Sequence, residues 1–364
     1  MTIGLLLDDS LDKPDGVQQS VISIGEELRF RGHEVHYLVT RTDRVDLKNI
    51  HSLSKYFAVK FNGNSVRTPL PARKSEIKRL LAKIDFDILH VQMPYSPLFT
   101  ARVLKLASPE VKKFGTFHIL PYSIISKFGT KVLSVCLFKN KKLLNQAFAV
   151  SKPAQEFMKN SFGISGVVLP NPVNFSFYNS FKRQKKFTKQ IVYVGRFDER
   201  KGVRELVKAF SLLSPQVRDA TTLTMCGKGP LLDDMKALAL KNGVSITFPG
   251  FVSDAEKAQY LANADIAVFP SLSGESFGIV LTEAMSAGSG VTIGGNNPGY
   301  ASVLAPWPES LFDPKDSKSF ASKLEYYLSY DVERSILGEK QHTDVKRYDI
   351  SAIVDKLEQI YKNS

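Results

Sequence analysis

Two glutamates stand eight positions apart in the segment GESFGIVLTEAMSAG: Glu275 on a Gly-Glu-Ser-Phe-Gly turn and Glu283 within an apolar run. Carboxylates accept hydrogen bonds from hydroxyl groups, which both the sugar and the ribose of a sugar nucleotide carry. The turn leads into a predicted helix that starts near Phe277 and Gly278, and the first N–H groups of a helix bind phosphate oxygens. We therefore expect Glu275 at the sugar end and Glu283 at the ribose end of a bound diphosphate.

Two cations, a histidine and a glycine follow other predicted strands. Arg196 ends the strand QIVYVGR and Lys201 comes five residues later; such a pair suits a diphosphate. His118 ends the strand KKFGTFH. Gly16 opens a helix, where the absence of a side chain lets N–H groups approach a phosphate. Taken alone, each feature has an ordinary interpretation as well: a solvated basic loop, a structural histidine or a simple turn.

The elements that must position these residues are short apolar strands alternating with amphipathic helices, which is typical of parallel α/β layers. Strands are predicted near residues 2–8, 34–40, 86–91, 113–118, 146–150, 190–194, 220–226, 245–248, 265–269 and 290–294. Helices are predicted near residues 16–31, 73–84, 96–107, 152–161, 203–213, 229–242, 254–263, 277–287 and 315–328.

A charged segment without periodicity, residues 180–190, is predicted to be a linker. We expect two Rossmann-like, doubly wound domains that face a central cleft, because such sheets bind ligands beyond the carboxyl ends of their strands. The N-terminal domain would span residues 1–175 and the C-terminal domain residues 176–348. A last helix near 349–364 would pack back on the first domain.

Composition limits the classes of function. A chain of 364 residues suits two domains, and its two distant cysteines define neither a disulfide framework nor a metal cluster. The first apolar run is too short for a signal peptide and no stretch is long enough to span a membrane, so a cytoplasmic location is expected. The net charge of +13 predicts an anionic partner: nucleic acid, an acidic membrane or a phosphorylated substrate.

Two acidic pairs resemble metal ligands without predicting a metal site. Asp85 and Asp87 precede a strand, at the edge away from the expected ligand, and are interpreted as a solvated turn. Asp233 and Asp234 lie in the first turns of a predicted helix, where acids complement the helix dipole.

The chain resembles the retaining glycosyltransferases of family 4, which have the GT-B fold. The resemblance covers essentially the whole chain and is greatest to members that transfer mannose to phosphatidyl-myo-inositol. Besides the two glutamates, the matching elements are Pro14, Gly16 to Gln18, Asn62, Gly63, Ser65 to Arg67, residues 116–118, Gly195, Arg196, Arg200 to Gly202, Asp254 to Lys257, residues 274–280 and residues 347–349.

The resemblance implies the site residues. Catalytic roles fall to His118, Arg196, Lys201 and Glu275. Donor binding falls to Gly16, Lys257, Ser276, Phe277, Gly278, Ile279, Val280 and Glu283. Acceptor binding falls to Asp12, Gln18, Asn62 and Arg67. Because Glu275 and Lys201 are predicted on loops, we expect truncation of either to lower turnover more than stability.

The resemblance also implies the reaction. A hexose, mannose in the first place, would pass from a nucleotide sugar such as GDP-mannose to a lipid such as phosphatidyl-myo-inositol, with the anomeric configuration retained and without a metal or other cofactor. The enzyme would be peripheral, at the inner face of the plasma membrane. Three departures concern the acceptor: Asp12 and Lys13 stand where the relatives have other residues in the acceptor loop, Asp15 replaces a glycine, and residues 170–174 read PNPVN instead of Pro-Asn-Gly-Val-Asp.

A basic helix predicted at residues 73–84 has two interpretations. It is either an ordinary helix with a solvated basic face or a surface that docks on anionic lipid. Its apolar stripe comprises Ile77, Leu80, Leu81 and Ile84, and its cations are Arg73, Lys74, Lys78, Arg79 and Lys83. Residues 124–142 also mix apolar residues with lysines.

Two rival functions remain open. One is a family 4 enzyme that uses a UDP-sugar and another acceptor, such as diacylglycerol, a polyprenyl-linked glycan or a small polyol. The other is a basic nucleic-acid-binding protein, which only the net charge supports, because the sequence contains no recognition motif. We expect no nucleic-acid partner.

Overall fold

The computed structural model describes residues 1–12, 15–61, 64–120, 134, 141–184 and 186–364. The chain forms two compact units. Unit 1 comprises Met1–Pro172 and Ile350–Ser364, and unit 2 comprises Val173–Asp349. Each unit is an α/β layer built on a parallel sheet.

Unit 1 contains seven parallel strands in the order β3-β2-β1-β6-β7-β8-β9. A separate antiparallel hairpin joins β4 and β5. The strands are β1 Thr2–Leu7, β2 Glu34–Thr40, β3 Ile50–Ser54, β4 Tyr56–Phe61, β5 Asn64–Pro69, β6 Ile88–Met93, β7 Lys112–Phe117, β8 Gln146–Ala149 and β9 Val167–Val168. The helices of eight or more residues are Gly16–Phe30, Lys74–Lys83, Lys152–Phe162 and Ile350–Asn363, and a shorter one is Thr100–Leu106.

Unit 2 contains six parallel strands in the order β12-β11-β10-β13-β14-β15. They are β10 Lys189–Val194, β11 Thr221–Cys226, β12 Ile246–Gly250, β13 Ile266–Phe269, β14 Val291–Gly295 and β15 Leu311–Phe312. The helices are Phe175–Asn179, Val203–Ser211, Pro215–Asp219, Leu232–Lys241, Asp254–Asn263, Ile279–Ser286, Pro298–Val303, Ser317–Ser329 and Asp331–Asp344.

The two sheets share one topology, which decides where ligands bind. In each sheet the first strand lies centrally, and the strand order reverses beside it, between β1 and β6 in unit 1 and between β10 and β13 in unit 2. Doubly wound sheets bind ligands beyond the carboxyl ends of the strands at this reversal. The predicted α/β class with two Rossmann-like sheets is confirmed.

Every predicted strand and helix overlaps an observed one, but several elements were not predicted. The polar edge strand β3 and the hairpin are the clearest cases. The residues between β4 and β5, Asn62 and Gly63, lie outside the described part of the chain. Asn-Gly between two strand-like runs is a strong hairpin signal that the sequence analysis did not use.

The C-terminal helix Ile350–Asn363 belongs to the core of unit 1. Its residues Ile353 and Leu357 are buried in one cluster with Leu5 and Val21. On the surface beside them, Arg31 donates hydrogen bonds to Asp355 at 2.5 Å and Glu358 at 2.7 Å.

Two buried histidines make unit 1 sensitive to acid. His90 Nδ1 lies 2.5 Å from the Tyr361 hydroxyl and its Nε2 lies 2.7 Å from Thr116 Oγ1. Burial lowers the pKa of His90 to about 3 and that of His118 to about 4. The unfolded chain, with a histidine pKa of about 6.5, therefore binds more protons than the folded one between these values, so stability falls as the pH drops below about 6.5.

We expect each buried histidine to lower the stability of unit 1 by about 1–2 kcal/mol between pH 7 and pH 5. The buried carboxyl group of Asp8, whose pKa burial raises to about 6, binds a proton in the folded state over the same range and offsets about 1 kcal/mol of this loss. Hydrogen exchange of the β1 and β2 amides would measure this loss. Unit 2, which contains only His342, is the internal control and its β10 amides should change less. Equal protection of the β1 amides at both pH values would contradict this expectation.

Candidate active site

The candidate site lies at the carboxyl ends of β10 and β13. The two strands pair in parallel, with Ile191 opposite Ile266, so their carboxyl ends meet at one edge. The chain after β10 forms a short 3-10 turn, Glu199–Lys201, and the chain after β13 continues through Ser271 to Glu275. The strand reversal thus brings two loops together that are about 75 residues apart along the chain.

Glu275 is the centre of this cluster. Its Oε1 accepts hydrogen bonds from Lys201 Nζ at 2.7 Å, Arg200 NH1 at 3.1 Å and Ser271 Oγ at 2.8 Å. The side chains of Glu275 and Lys201 are only 13% and 17% exposed. The two residues that the sequence analysis gave separate roles form one buried ion pair. Arg200 appeared there only as a family match, and Ser271 was missed because no sequence spacing marks it.

The cations keep Glu275 ionised. Burial acts to raise the pKa of this carboxyl group, but the Lys201 and Arg200 charges outweigh burial and hold the pKa at about 2. Burial also lowers the pKa of the Lys201 ammonium group, against the opposing effect of Glu275. At neutral pH the site therefore contains a fixed carboxylate.

Two glycines, one at the end of the turn after β10 and one in the helix Pro298–Val303, allow close approach to the loop after β13. Gly202 ends the 3-10 turn with φ 68°, and a Cβ there would lie 2.0 Å from the Pro270 carbonyl oxygen. A Cβ on Gly299 would lie 2.2 Å from the Glu275 carbonyl oxygen. Any side chain at either position would push the turn that carries Glu275 out of place.

The second glutamate lies on the helix Ile279–Ser286, which we call the Glu283 helix. Its N-cap residue is Gly278, with φ 115°. Glu283 Oε1 accepts hydrogen bonds from Tyr178 at 2.6 Å and from Lys257 Nζ at 2.8 Å. The helix starts at Ile279, later than the predicted start near Phe277 and Gly278, so Glu283 lies about one turn from its start. Tyr178 was missed by the sequence analysis because it lies 105 residues before Glu283.

The remaining donor-site candidates of unit 2 surround the start of the Glu283 helix. Phe277 is buried and its ring packs edge-on against Tyr348 at 5.3 Å. Ser276, Ile279 and Val280 are half-buried. Arg196 lies apart from the Glu275 cluster: its guanidinium is 3.3 Å from Asp198, and its side chain is 41% exposed.

Unit 1 holds the other candidates. His118 is buried, and its Nε2 lies 2.7 Å from Gln92 Oε1. Gly16 is the exposed first residue of the helix Gly16–Phe30, whose preceding residue Asp15 makes no side-chain cap. Its first N–H groups therefore have no such acceptor.

The acceptor candidates differ in their burial and in how much of each the structure describes. Gln18 is buried and donates to Asp9 at 3.0 Å. Asp12 is exposed and accepts from the Asp43 amide at 2.9 Å. Asn62 lies outside the described residues, and of Arg67 only the backbone is described, opposite Ala58 in the hairpin.

The basic helix has the predicted polarity. Ile77 is fully buried, whereas Leu80, Leu81 and Ile84 are half-buried. All five cations are exposed, namely Arg73, Lys74, Lys78, Arg79 and Lys83. Of residues 124–142, most lie outside the described residues. Within the described part of the chain, no helix is long and apolar enough to cross a membrane.

A comparison with family models matches both halves of the chain. The model "Glycosyltransferase Family 4" matches residues 14–177, and the model "Glycosyl transferases group 1" matches residues 177–344. Solved structures of similar fold are a glycosyltransferase of Rickettsia africae (TM-score 0.75, 19% identity, 100% of this chain and 98% of that one) and Anabaena HepE in complex with UDP and glucose (TM-score 0.75, 15% identity, 100% of both). Fold and family models together define a glycosyltransferase with the GT-B fold.

Relatives in sequence narrow the family. The phosphatidyl-myo-inositol mannosyltransferase of Mycobacterium leprae is 30% identical over 377 residues, covering 100% of this chain and 96% of the relative. That of Mycolicibacterium smegmatis is 30% identical over 375 residues, covering 100% and 94%. The chain belongs to the family 4 glycosyltransferases that include the phosphatidyl-myo-inositol mannosyltransferases.

The burial of the ion pair changes the expected effect of truncation. Glu275→Ala would leave two buried cations without their carboxylate, so we expect the free energy of unfolding of unit 2 to fall by about 3 kcal/mol. The only tryptophan, Trp307, is buried in unit 2, so its fluorescence during urea unfolding measures this unit. Glu275→Gln, which keeps the size and an acceptor oxygen, should cost less and is the better variant for turnover.

The double variant Glu275→Leu with Lys201→Met tests the cause. If the cost comes from an unpaired charge, the double variant should be more stable than the sum of the two single effects predicts. Additive losses would show that the two side chains do not interact in the folded protein.

Proposed function

We propose that the protein transfers a hexose, mannose in the first place, from a nucleotide sugar such as GDP-mannose to a lipid acceptor such as phosphatidyl-myo-inositol, with retention of the anomeric configuration and without a metal. One observation supports the proposed binding of a nucleotide-sugar donor. Glu275 and Glu283 each receive a lysine and a hydroxyl on Oε1. Among the described residues, neither Oε2 receives a hydrogen bond. Those two oxygens are the proposed acceptors for sugar and ribose hydroxyls.

The diphosphate would bind between these glutamates. Arg196 offers an exposed guanidinium, Lys201 an ammonium group, and the Glu283 helix its first N–H groups. Charge that develops on the departing diphosphate would be stabilised by these groups, which are already in place before the reaction. In the proposed front-face route, a phosphate oxygen of the leaving group accepts the proton of the incoming hydroxyl. The oxygen of that hydroxyl then forms the new glycosidic bond on the face that the diphosphate leaves.

Lys257 and Asp254 support guanine as the donor base. Lys257 Nζ lies 2.8 Å from Glu283 and 3.1 Å from Asp254, whose side chain is 58% exposed. If Glu283 binds the ribose, Asp254, which shares Lys257 with it, is proposed to face the base. A carboxylate there accepts both adjacent N–H groups of guanine, whereas uracil offers only one such group.

His118 is proposed to bind a hydroxyl of the transferred sugar or its oxocarbenium-like centre. Its low pKa keeps the imidazole neutral at pH 7. Since Nε2 is engaged by Gln92 Oε1, Nδ1 is the nitrogen that accepts a hydrogen bond. A neutral ring adds no positive charge beside an electron-poor sugar carbon.

The absence of a metal is part of the proposal. Arg196 and Lys201 already supply positive charge for the diphosphate, and the described residues contain no group of three or more His, Cys, Asp or Glu side chains suited to a metal ion. Activity that is lost with a chelator and restored by magnesium or manganese would contradict this part.

A panel of GDP- and UDP-sugars tests the reaction. Each donor is incubated with the enzyme and phosphatidylinositol, diacylglycerol or a membrane lipid extract, and mass spectrometry identifies the product. We expect GDP-mannose with phosphatidylinositol to give the fastest product and NMR to show the α-configuration of the donor retained. A faster UDP-sugar or another acceptor would establish the rival family 4 function, and an inverted product would refute retention.

The acceptor side is proposed to act at the inner face of the plasma membrane, through the basic helix. In one variant, serine replaces Lys74, Lys78, Arg79 and Lys83. We expect its affinity for anionic vesicles to be lower by orders of magnitude, because each cation contributes about 1 kcal/mol near such a surface. Raised salt should have the same effect on the wild type. Sedimentation with phosphatidylglycerol vesicles at two salt concentrations measures both.

A charge-matched control shows whether vesicle binding depends on the basic helix or only on the net charge of the protein. Lys208, Lys241, Lys315 and Lys318 are exposed lysines of unit 2, and their replacement by serine removes the same net charge. The control should sediment nearly as the wild type does. If both variants sediment alike, the basic helix is not the docking surface.

A further inference from the structure

We infer that Ser271 and Tyr178 are positioning residues, whose hydroxyls hold the two glutamates so that one oxygen of each remains for the donor. The inference rests on the proposed function and deepens it. Ser271 would act at the sugar end and Tyr178 at the nucleotide end. Neither touches the reacting atoms in this scheme, and each acts through its glutamate.

Ser271 is built into the edge of the sheet. It follows β13 and is 2% exposed, and its Oγ donates to Glu275 Oε1 at 2.8 Å. The Tyr300 hydroxyl lies 3.3 Å from the same Oγ. Because Ser271 is buried and its side chain has fewer conformations than those of lysine or arginine, its hydrogen bond restricts the carboxylate more closely than theirs.

Tyr178 gives Glu283 the same kind of support from another element. It lies on the helix Phe175–Asn179 and is 6% exposed, and its hydroxyl is 2.6 Å from Glu283 Oε1. Lys257 Nζ lies 5.5 Å from the centre of its ring. Burial and the Glu283 charge raise the pKa of Tyr178, so at neutral pH the phenol is protonated and donates this bond.

The segment that carries Tyr178 is itself held at its start. The Val173 amide donates to the Tyr348 carbonyl at 2.9 Å, and the Phe175 amide donates to Asp349 Oδ1 at 3.1 Å. Asn174 caps the short helix through a 2.9 Å bond from the Phe177 amide. The asparagine that replaces the family's acid thus serves as an N-cap, and the ring of Tyr178 has a fixed anchor.

The two roles predict different kinetic defects. When the phenol of Tyr178 is removed, Lys257 is the remaining hydrogen-bond donor to the Glu283 carboxylate among the described residues. The carboxylate can then turn its Oε2 away from the ribose. Tyr178→Phe should therefore weaken binding of GDP about tenfold with little change in kcat, since a hydrogen bond to a charged group contributes on this scale. Ser271→Ala should leave GDP affinity within about twofold and lower kcat about tenfold, because GDP carries no sugar for Glu275.

Calorimetry with GDP and steady-state kinetics with GDP-mannose measure the two effects. If the wild type prefers a UDP-sugar, UDP and that sugar replace them. Tyr327→Phe and Ser310→Ala are matched controls, because they remove a buried hydroxyl of the same unit that contacts neither glutamate. Both controls should keep wild-type affinity and turnover.

A variant pair separates positioning from folding. Added to Glu283→Ala, Tyr178→Phe should weaken GDP binding no further, because the residue through which it acts is gone. A further tenfold loss of GDP affinity in this double variant would overturn the inference. Equal defects in the two test variants and the two control variants would also overturn it. If the wild type binds neither GDP nor UDP, the proposed function fails and the inference with it. If it binds one of them and Tyr178→Phe binds as tightly, only the inference fails.

Discussion

The carboxylate of Glu275, buried against Lys201 and Arg200, is the interaction on which the site depends. A buried charge is costly unless it is paired, and here the partners come from a loop about 75 residues away. The pairing therefore ties the loop after β13 to the turn after β10, at the point where the strand order of unit 2 reverses. Close contact with the loop after β13 leaves room only for glycine at Gly202, at the end of the turn, and at Gly299, in the helix Pro298–Val303.

The same arrangement occurs twice. Each glutamate of the pair is held through one oxygen by an ammonium group and a hydroxyl. Catalysis by charge stabilisation requires groups that are fixed before the substrate arrives. Ion pairs at the buried side of each carboxylate provide that fixation, and the exposed guanidinium of Arg196 adds a cation whose partner, Asp198, lies at the site's edge.

Much of the fold and part of the candidate site could be predicted from the sequence, because they depend on local patterns. Alternating apolar strands and amphipathic helices specify the parallel sheets, and the spacing of Glu275 and Glu283 predicts the candidate site. The partners of these glutamates could not be predicted. Lys201 meets Glu275, and Tyr178 meets Glu283, only because the sheet topology brings distant segments together. For the same reason, the side chains of Glu275 and Lys201, which were expected on open loops, are only 13% and 17% exposed, and this changes the stability expected after truncation.

The central claim is that the nucleotide sugar binds at the carboxyl ends of β10 and β13, through the free oxygens of the two glutamates. The Glu275→Gln variant would change the contact that is being tested. The wild type should therefore be crystallised with a non-transferable GDP-mannose analogue. The account predicts hydroxyls of the mannose within hydrogen-bond distance of Glu275 Oε2 and those of the ribose within the same distance of Glu283 Oε2. A nucleotide bound elsewhere, or one whose ribose and sugar both avoid these oxygens, would contradict it.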